Sequence, residues 1–214
     1  MKNELLKRIL SSVTLLAVAL FFIIKGSIFF IFFIIAVLTI ALYEWHFLSL
    51  KKIYYLPGFI FIIFSLYTCY LFRSEGDYKI FLLILITCIS TDIGGYIFGK
   101  ILKGPKLIKI SPNKTYAGMI GSFLLSIISA SLYFNNLSLF SLSKFDGELD
   151  IRIIIIVLFI SFVSQFGDLV ISFFKRKSKI KNTGNIIPGH GGLLDRIDGM
   201  IFAFPFTYIL LKIL

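Results

Sequence analysis

Seven stretches of almost uninterrupted apolar residues, roughly 9–24, 27–48, 56–72, 80–98, 117–134, 153–174 and 193–214, constrain this chain more than any other feature. Crossing the hydrocarbon core of a bilayer takes about 20 helical residues. Lipid offers no partner to an unpaired backbone group, so runs of this length are helices. The composition agrees, with 58% apolar residues, 15% charged residues and a mean hydropathy of +0.95. A soluble domain is about half apolar and a quarter charged. Disorder is excluded by hydrophobicity. A disulfide scaffold is excluded because the only thiols, Cys69 and Cys88, sit inside apolar runs. The first run follows Lys7 and Arg8, as a signal peptide would. No small-residue cleavage site comes after it, and past Lys25 and Gly26 the chain enters the next span, so it reads as a retained helix. The expected fold is an all-α polytopic membrane protein, a bundle of about seven transmembrane helices without internal repeat. Residues 1–214 form one integral membrane domain, with N-terminal spans in 1–78 and the chemistry in the spans and basic loops of 79–214.

A net charge of +11 is unusual for so apolar a chain, and its arrangement orients the bundle. With the N-terminus in the cytoplasm, fifteen of the 22 Lys and Arg residues fall on that side, in segments 2–8, 51–52, 100–114 and 175–181. Six fall on the other side, and Arg196 lies just inside the last span. This asymmetry predicts a cytoplasmic N-terminus and an external C-terminus in the cell membrane. The same charge suits anionic lipid headgroups or nucleotide phosphates. Nothing in the pattern points to nucleic acid.

Five acidic residues fall within or at the edges of spans: Glu44, Asp92, Asp168, Asp195 and Asp198. An ionisable group in a span costs about 2.5–3.5 kcal/mol to insert, so each asks for a function. Glu44, beside Trp45 and His46, reads as an interfacial anchor. Ser161, Gln165, Asp168 and Ser172 share one face of an otherwise oily helix, which must therefore turn toward protein or water. Asp168 sits deep enough to need a cationic partner. Asp195 and Asp198 share a face at the start of the last span and enter from the same side. The intervening loop, residues 175–192, is short, so these two helices are expected to be neighbours with their three carboxylates in one cytoplasmic pocket. Cations must intervene there, and Arg196 and the lysines are candidates. Oxygen ligands with phosphate nearby favour Mg²⁺, and there is no Cys or His cluster for zinc.

The loop carries five cations, Lys175, Arg176, Lys177, Lys179 and Lys181, and then a glycine-rich turn that abuts a helix start. Backbone N–H groups at such a start hold phosphate well. Residues 184–189 match the glycine spacing of a P-loop, but His190 and Gly191 follow where Lys and Ser or Thr are required, and no strand precedes. That match is rejected. In the fourth span Asp92, Gly95, Tyr96 and Gly99 share a face, where small residues permit close helix contact. A lysine-rich loop follows and ends Ser111-Pro112-Asn113-Lys114-Thr115, with Gly118 in the next span.

Ser172, Lys175, Arg176, Lys181, Gly184, Ile187, Pro188, His190, Gly191, Gly192, Leu193, Asp195, Arg196, Ile197 and Asp198 together resemble the motif of the CDP-diglyceride synthetases, also called phosphatidate cytidylyltransferases. Asp92 through Lys100 and Ser111 through Gly118 resemble other segments shared by that family. The chain departs in two ways. Asn182 stands where the motif has Asp, which keeps an oxygen and loses a charge. The chain is also shorter than is usual in the family, by one or two spans in its first half, which bears on oligomer contacts more than on chemistry. The resemblance implies a Mg²⁺-dependent reaction of CTP with phosphatidate, giving CDP-diacylglycerol and pyrophosphate, in a membrane helical bundle that forms a homodimer. It implies that Asp168 and Asp195 resemble metal-holding carboxylates, with a second cation allowed.

The residues suit that reaction. Phosphatidate's phosphate, with a second pKa of about 6, is already largely ionised and needs little from a general base. The difficulty is joining two polyanions and stabilising the leaving pyrophosphate. Asp168 and Asp195 are expected to hold metal, supported by Asp198. Lys175, Arg176, Lys181 and Arg196 are expected to bind CTP or lipid phosphate, and Ser111, Lys114 and Thr115 a second phosphate group. Asp92 and Ser172 complete the expected substrate-binding residues. His190 is expected to hydrogen-bond a phosphate. A CTP-dependent lipid kinase would need a base for its alcohol acceptor, and none is apparent. A CDP-alcohol phosphotransferase, hinted at by Asp198-Gly199, would need further acids after Asp198. A transporter of organic anions would carry polarity along whole helices, whereas here it gathers at one membrane face.

Overall fold

The structure is a computed structural model that describes Thr14 and residues 16–50, 52–74, 78–108, 111–139, 151–187 and 191–213. Within them are seven helices: α1 (Leu16–Lys25), α2 (Ser27–Ser49), α3 (Tyr55–Ser74), α4 (Tyr78–Leu102), α5 (Tyr116–Leu139), α6 (Ile151–Lys177) and α7 (Leu194–Ile213). Five of these, α2 to α6, are long and apolar enough to cross a membrane. Their outward faces carry exposed Phe32, Ile60, Ile93, Ile155 and Phe162. So much bare apolar surface belongs against lipid rather than water.

One element was not expected. The lysine-rich segment after α4 folds into an antiparallel pair, β1 (Lys106–Ile108) with β2 (Ser111–Thr115), in which Lys106 pairs with Thr115 and Ile108 with Ser111. Short polar pairing of this kind leaves no periodic apolar signal to read. The hairpin converts a loose loop into an arm that holds Lys114 and Thr115 at the head of α5.

The carboxyl ends of α2, α4 and α6 gather at one end of the bundle with the amino ends of α3, α5 and α7. The Ser178 hydroxyl donates to the Leu48 carbonyl at 2.7 Å, and Lys52 Nζ donates to Ser178 at 2.8 Å. Residues 175–187 and the hairpin lie at this same end, where Ser111, Lys114 and Thr115 border one cavity with Asp195 and Arg196. At the other end Arg73 Nε donates to the Ile23 carbonyl, and the Tyr133 hydroxyl donates to the Lys79 carbonyl.

Two seams hold the helices that build the site. On the α4–α5 seam a Cβ on Gly118 would stand 2.8 Å from the Gly95 carbonyl oxygen, and one on Gly94 would stand 2.6 Å from that of Gly121. The two backbones touch, as small residues in membrane helices allow. On the α6–α7 seam Gly167 faces the Asp198 carbonyl and the Phe202 ring, and Gly199 faces Ser164. The predicted adjacency of these two helices is present. Pro205 lies inside α7 and has no N–H for the Ile201 carbonyl four residues earlier. Ser65 of α3 donates its hydroxyl to that carbonyl at 2.6 Å, so the freed acceptor keeps a partner in the apolar core.

Candidate active site

A cavity of about 370 Å³ opens between α4, α5, β2, α6 and α7. Asp92, Ser111, Lys114, Thr115, Asp168, Asp195, Arg196 and Asp198 all line it. These eight come from four separate stretches of chain, and each was singled out from sequence. The three carboxylates of α6 and α7 converge as expected, and Asp92 from α4 joins them.

Asp168 has the cationic partner its depth requires, and the partner is Lys114 of the hairpin, in an ion pair. Lys114 Nζ also donates to the Gln165 carbonyl at 3.4 Å, and the Ser172 hydroxyl donates to Asp168 Oδ1 at 3.2 Å. The predicted stripe on α6 is thus a working face. Its upper member, Ser161, accepts a bond from Thr91 of α4 at 2.8 Å, and Ser122 of α5 donates to the Thr91 carbonyl at 2.7 Å. This short polar ladder ties α4, α5 and α6 at the cavity wall, which Thr91 and Ser122 help to line. Thr115 also caps α5, since its hydroxyl accepts the Gly118 N–H at 3.1 Å.

Asp195 is held more tightly. Its Oδ1 accepts from Lys175 Nζ at 2.7 Å, and its Oδ2 accepts the N–H groups of Thr183 and Gly192 at 2.9 and 3.1 Å. The turn that allows this begins at the end of α6. Lys179 adopts φ 58°, the Ile180 N–H reaches back to the Lys175 carbonyl, and the Lys179 N–H bonds that of Arg176. This 6→1 and 5→2 pairing is the Schellman arrangement. It reverses the chain over the helix end and brings residues 181–187 beside the start of α7. Gly191, at φ +88°, takes the conformation that side chains avoid and completes the return.

Glu44 corrects an expectation. It is not an interfacial anchor, because only 1% of it is exposed. Its Oε1 accepts the Leu193 N–H at 2.8 Å, and its Oε2 accepts the Leu194 N–H at 2.8 Å and the Thr183 hydroxyl at 2.7 Å. The start of α7, expected to be open to phosphate, is therefore already filled by a carboxylate from α2. A helix N-terminus takes whichever anion reaches it, and a tethered one has the advantage. Sequence reasoning flagged Glu44 as an acid within a span but had no means to find a partner 149 residues away.

Four other expected site residues lie off the cavity wall. Ser172 and Lys175 act on wall carboxylates, Asp168 and Asp195, instead of lining the cavity themselves. Arg176 and Lys181 are exposed on the same face of the bundle. Pro188, Gly189 and His190 lie outside the described residues, and so does the role expected of His190. Gln165, named in the stripe but given no task, lines the cavity with its amide nitrogen buried and unpartnered among the described residues.

The donor set is chemically specific. Among the described residues no three His, Cys, Asp or Glu side chains form a ready-made metal cage. Mg²⁺ does not need one, since it commonly takes one or two carboxylates and completes its shell with water and substrate phosphates. The adjoining oxygens of Asp168 and Asp198, and the one lone-pair site of about four that Asp195 has left, fit that habit.

Comparison with known proteins supplies the remaining finding. Residues 53–214 match the cytidylyltransferase family. A phosphatidate cytidylyltransferase of Rickettsia bellii (strain RML369-C) is 36% identical over 212 residues, covering 98% of this chain and 91% of the relative. One of Staphylococcus aureus (strain COL) is 43% identical over 143 residues, covering 65% of this chain and 51% of the relative. One of Bacillus subtilis (strain 168) is 41% identical over 128 residues, covering 58% of this chain and 44% of the relative. The matches thus span about half the length of the last two relatives and nearly all of the first.

Proposed function

The chain belongs to the cytidylyltransferase family, and from that premise we propose that it is a membrane-embedded phosphatidate cytidylyltransferase of phospholipid biosynthesis. CTP and phosphatidate are its substrates. A phosphatidate phosphate oxygen attacks the α-phosphorus of CTP, the bond to the β-phosphate's bridging oxygen breaks, and CDP-diacylglycerol and pyrophosphate leave. One observation carries the reading. Four carboxylates and two cationic side chains, Lys114 and Arg196, meet in a single cavity in a bundle otherwise made of apolar helices.

The cavity's own residues explain how two polyanions can meet there. Lys114 stands on the hairpin arm and Arg196 on the first turn of α7, so fixed positive charge flanks the space from two sides. Ser111 and Thr115 offer hydroxyl donors on the same wall. Lys175 holds Asp195 in place, while Arg176 and Lys181 extend the positive surface outward, where a nucleotide arrives. The exposed apolar faces beside the cavity suit acyl chains that stay in the bilayer while the headgroup enters. Charge placed in advance where the transition state needs it requires no reorganisation during reaction. In this reading Asp168 and Asp195 hold Mg²⁺, with Asp198 in support and a second cation allowed. When bound, the metal neutralises the triphosphate and the departing pyrophosphate. The hairpin and the 175–192 loop face the cytoplasm of a cell membrane, in accord with the lysine asymmetry, and the enzyme works as a homodimer.

The test uses purified protein in detergent with Mg²⁺, phosphatidate and CTP labelled in either the α- or the γ-phosphate. The expected result is α-label in CDP-lipid and γ-label in pyrophosphate. Transfer of γ-label to a lipid alcohol would overturn the reading in favour of a kinase. Uptake of intact CTP into vesicles without turnover would overturn it in favour of a transporter.

A further inference from the structure

Glu44 lies on α2, outside the 53–214 stretch that matches the family, and does not line the cavity. Yet its carboxylate is where the two ends of the loop between α6 and α7 meet. Thr183 comes from the segment that leaves α6, Leu193 and Leu194 come from the start of α7, and the same Thr183 gives its N–H to Asp195. The fit leaves no slack. A Cβ on Gly192 would stand 2.4 Å from Glu44 Oε2, and one on Gly184 would stand 2.8 Å from Oε1. The loop's glycines are what let it close around this carboxylate. Among the described residues no cation pairs with the acid. Among the described residues it accepts from two backbone N–H groups and one hydroxyl, those of Leu193, Leu194 and Thr183.

We propose that Glu44 is the positioning residue of the site: held on α2, it ties Thr183 to Leu193 and Leu194 at the start of α7 and so sets Asp195, and through it Lys175, at the cavity rim. The role deepens the cytidylyltransferase reading and rests on it for its catalytic consequence, but the mechanical part stands apart from any activity. Asp195 takes its Thr183 and Gly192 N–H bonds from backbone that Glu44 holds directly or through the next residue. Without the carboxylate, two N–H groups at the head of α7 and the Thr183 hydroxyl lose their acceptor, and the loop loses its tie to α2.

Trypsin measures the mechanical part. Lys177, Lys179 and Lys181 are exposed, and a protease cuts a loop only as fast as the loop can open. In Glu44→Ala, cleavage within 177–181 is expected to run severalfold faster than in the wild type, and added formate, a carboxylate small enough for the vacated space, is expected to slow it again. Trp45, the chain's one tryptophan, packs against Tyr54 and Phe174 and reports on the fold. Its emission is expected to be unchanged. Turnover of labelled CTP measures the consequence. kcat is expected to fall about tenfold or more, as for partners that orient a ligating side chain, with KM for CTP little changed, partial recovery with formate, and an intermediate value for Glu44→Gln. Should Glu44→Ala disturb Trp45 emission, Glu44→Gln decides alone, with faster cutting and lower kcat expected. Wild-type cutting rates, or a lowered kcat that neither formate nor Gln relieves, would overturn the proposal. If the wild-type protein makes no CDP-lipid, the functional reading fails, and the proteolysis arms still judge the tie between Glu44 and the loop.

Discussion

The cavity has two lysine–aspartate pairs, built in opposite ways. Lys175 and Asp195 are nearly closed off, with side-chain exposures of 15% and 7%, and Asp195 also takes two backbone N–H groups. Lys114 and Asp168 stand more open, at 24% and 31%, and Asp168 takes a long bond from Ser172 and no backbone N–H among the described residues. The first pair belongs to a turn pinned by Glu44 and a helix end. The second joins the hairpin arm to the middle of α6. A half-open ion pair contributes at most about 1 kcal/mol, whereas stripping one partner from a buried pair costs about 3–5 kcal/mol. The difference suggests a division of labour. On the proposed reading, the α6–α7 corner is scaffold that fixes Asp195, and the wall of Lys114, Asp168 and Asp92 is the part whose contacts a bound polyanion rearranges.

The largest effect expected from this contrast is at Asp168. Asp168→Asn should lower turnover by about a hundredfold to a thousandfold, as loss of a main electrostatic group does, while the melting temperature stays close to wild type. Calorimetry and a turnover assay on the same preparation check it, and a folded variant with wild-type turnover would break the contrast. Asp195→Asn should lower both. It places an amide where Lys175 needs a negative charge and costs about 3 kcal/mol of stability. A stable, inactive Asp195→Asn protein would show that the corner is not scaffold. A smaller effect is expected at the seam behind the open wall. In Gly118→Ala the added methyl meets the Gly95 carbonyl at 2.8 Å and Thr115 Oγ1 at 3.3 Å. Separating α4 from α5 should cost about 1–3 kcal/mol and raise KM more than it lowers kcat, because Thr115 and the arm move with α5. Steady-state kinetics over CTP and phosphatidate separate the two.

Much of the molecule is legible in the order of its residues. Apolar runs marked the helices because lipid forbids other backbone solutions, and a four-three-four spacing marked the working face of α6 because helical geometry repeats locally. Eight expected site residues line one cavity; five of them sit on α4, α6 and α7, whose facing local pattern reveals, and Ser111, Lys114 and Thr115 stand out through their resemblance to a shared family segment. The hairpin escaped notice because three- and five-residue strands leave no periodic trace. Glu44 is legible as an acid within a span but its partner is not, because an acid next to Trp45 and His46 near a helix end looks the same whether it meets headgroups or a folded loop.

By itself, then, the order of residues determined which segments are helices, that the basic loops share one face, and which side chains are polar enough to require company. Only the packing decided the company: Lys114 for Asp168, Lys175 for Asp195, and the head of α7 for Glu44. The reason is range. Hydrophobic periodicity and capping act over a few residues along the chain, whereas the partner of a buried charge is whatever donor the helix seams bring within about 3 Å, and those seams are set where glycines let backbones touch.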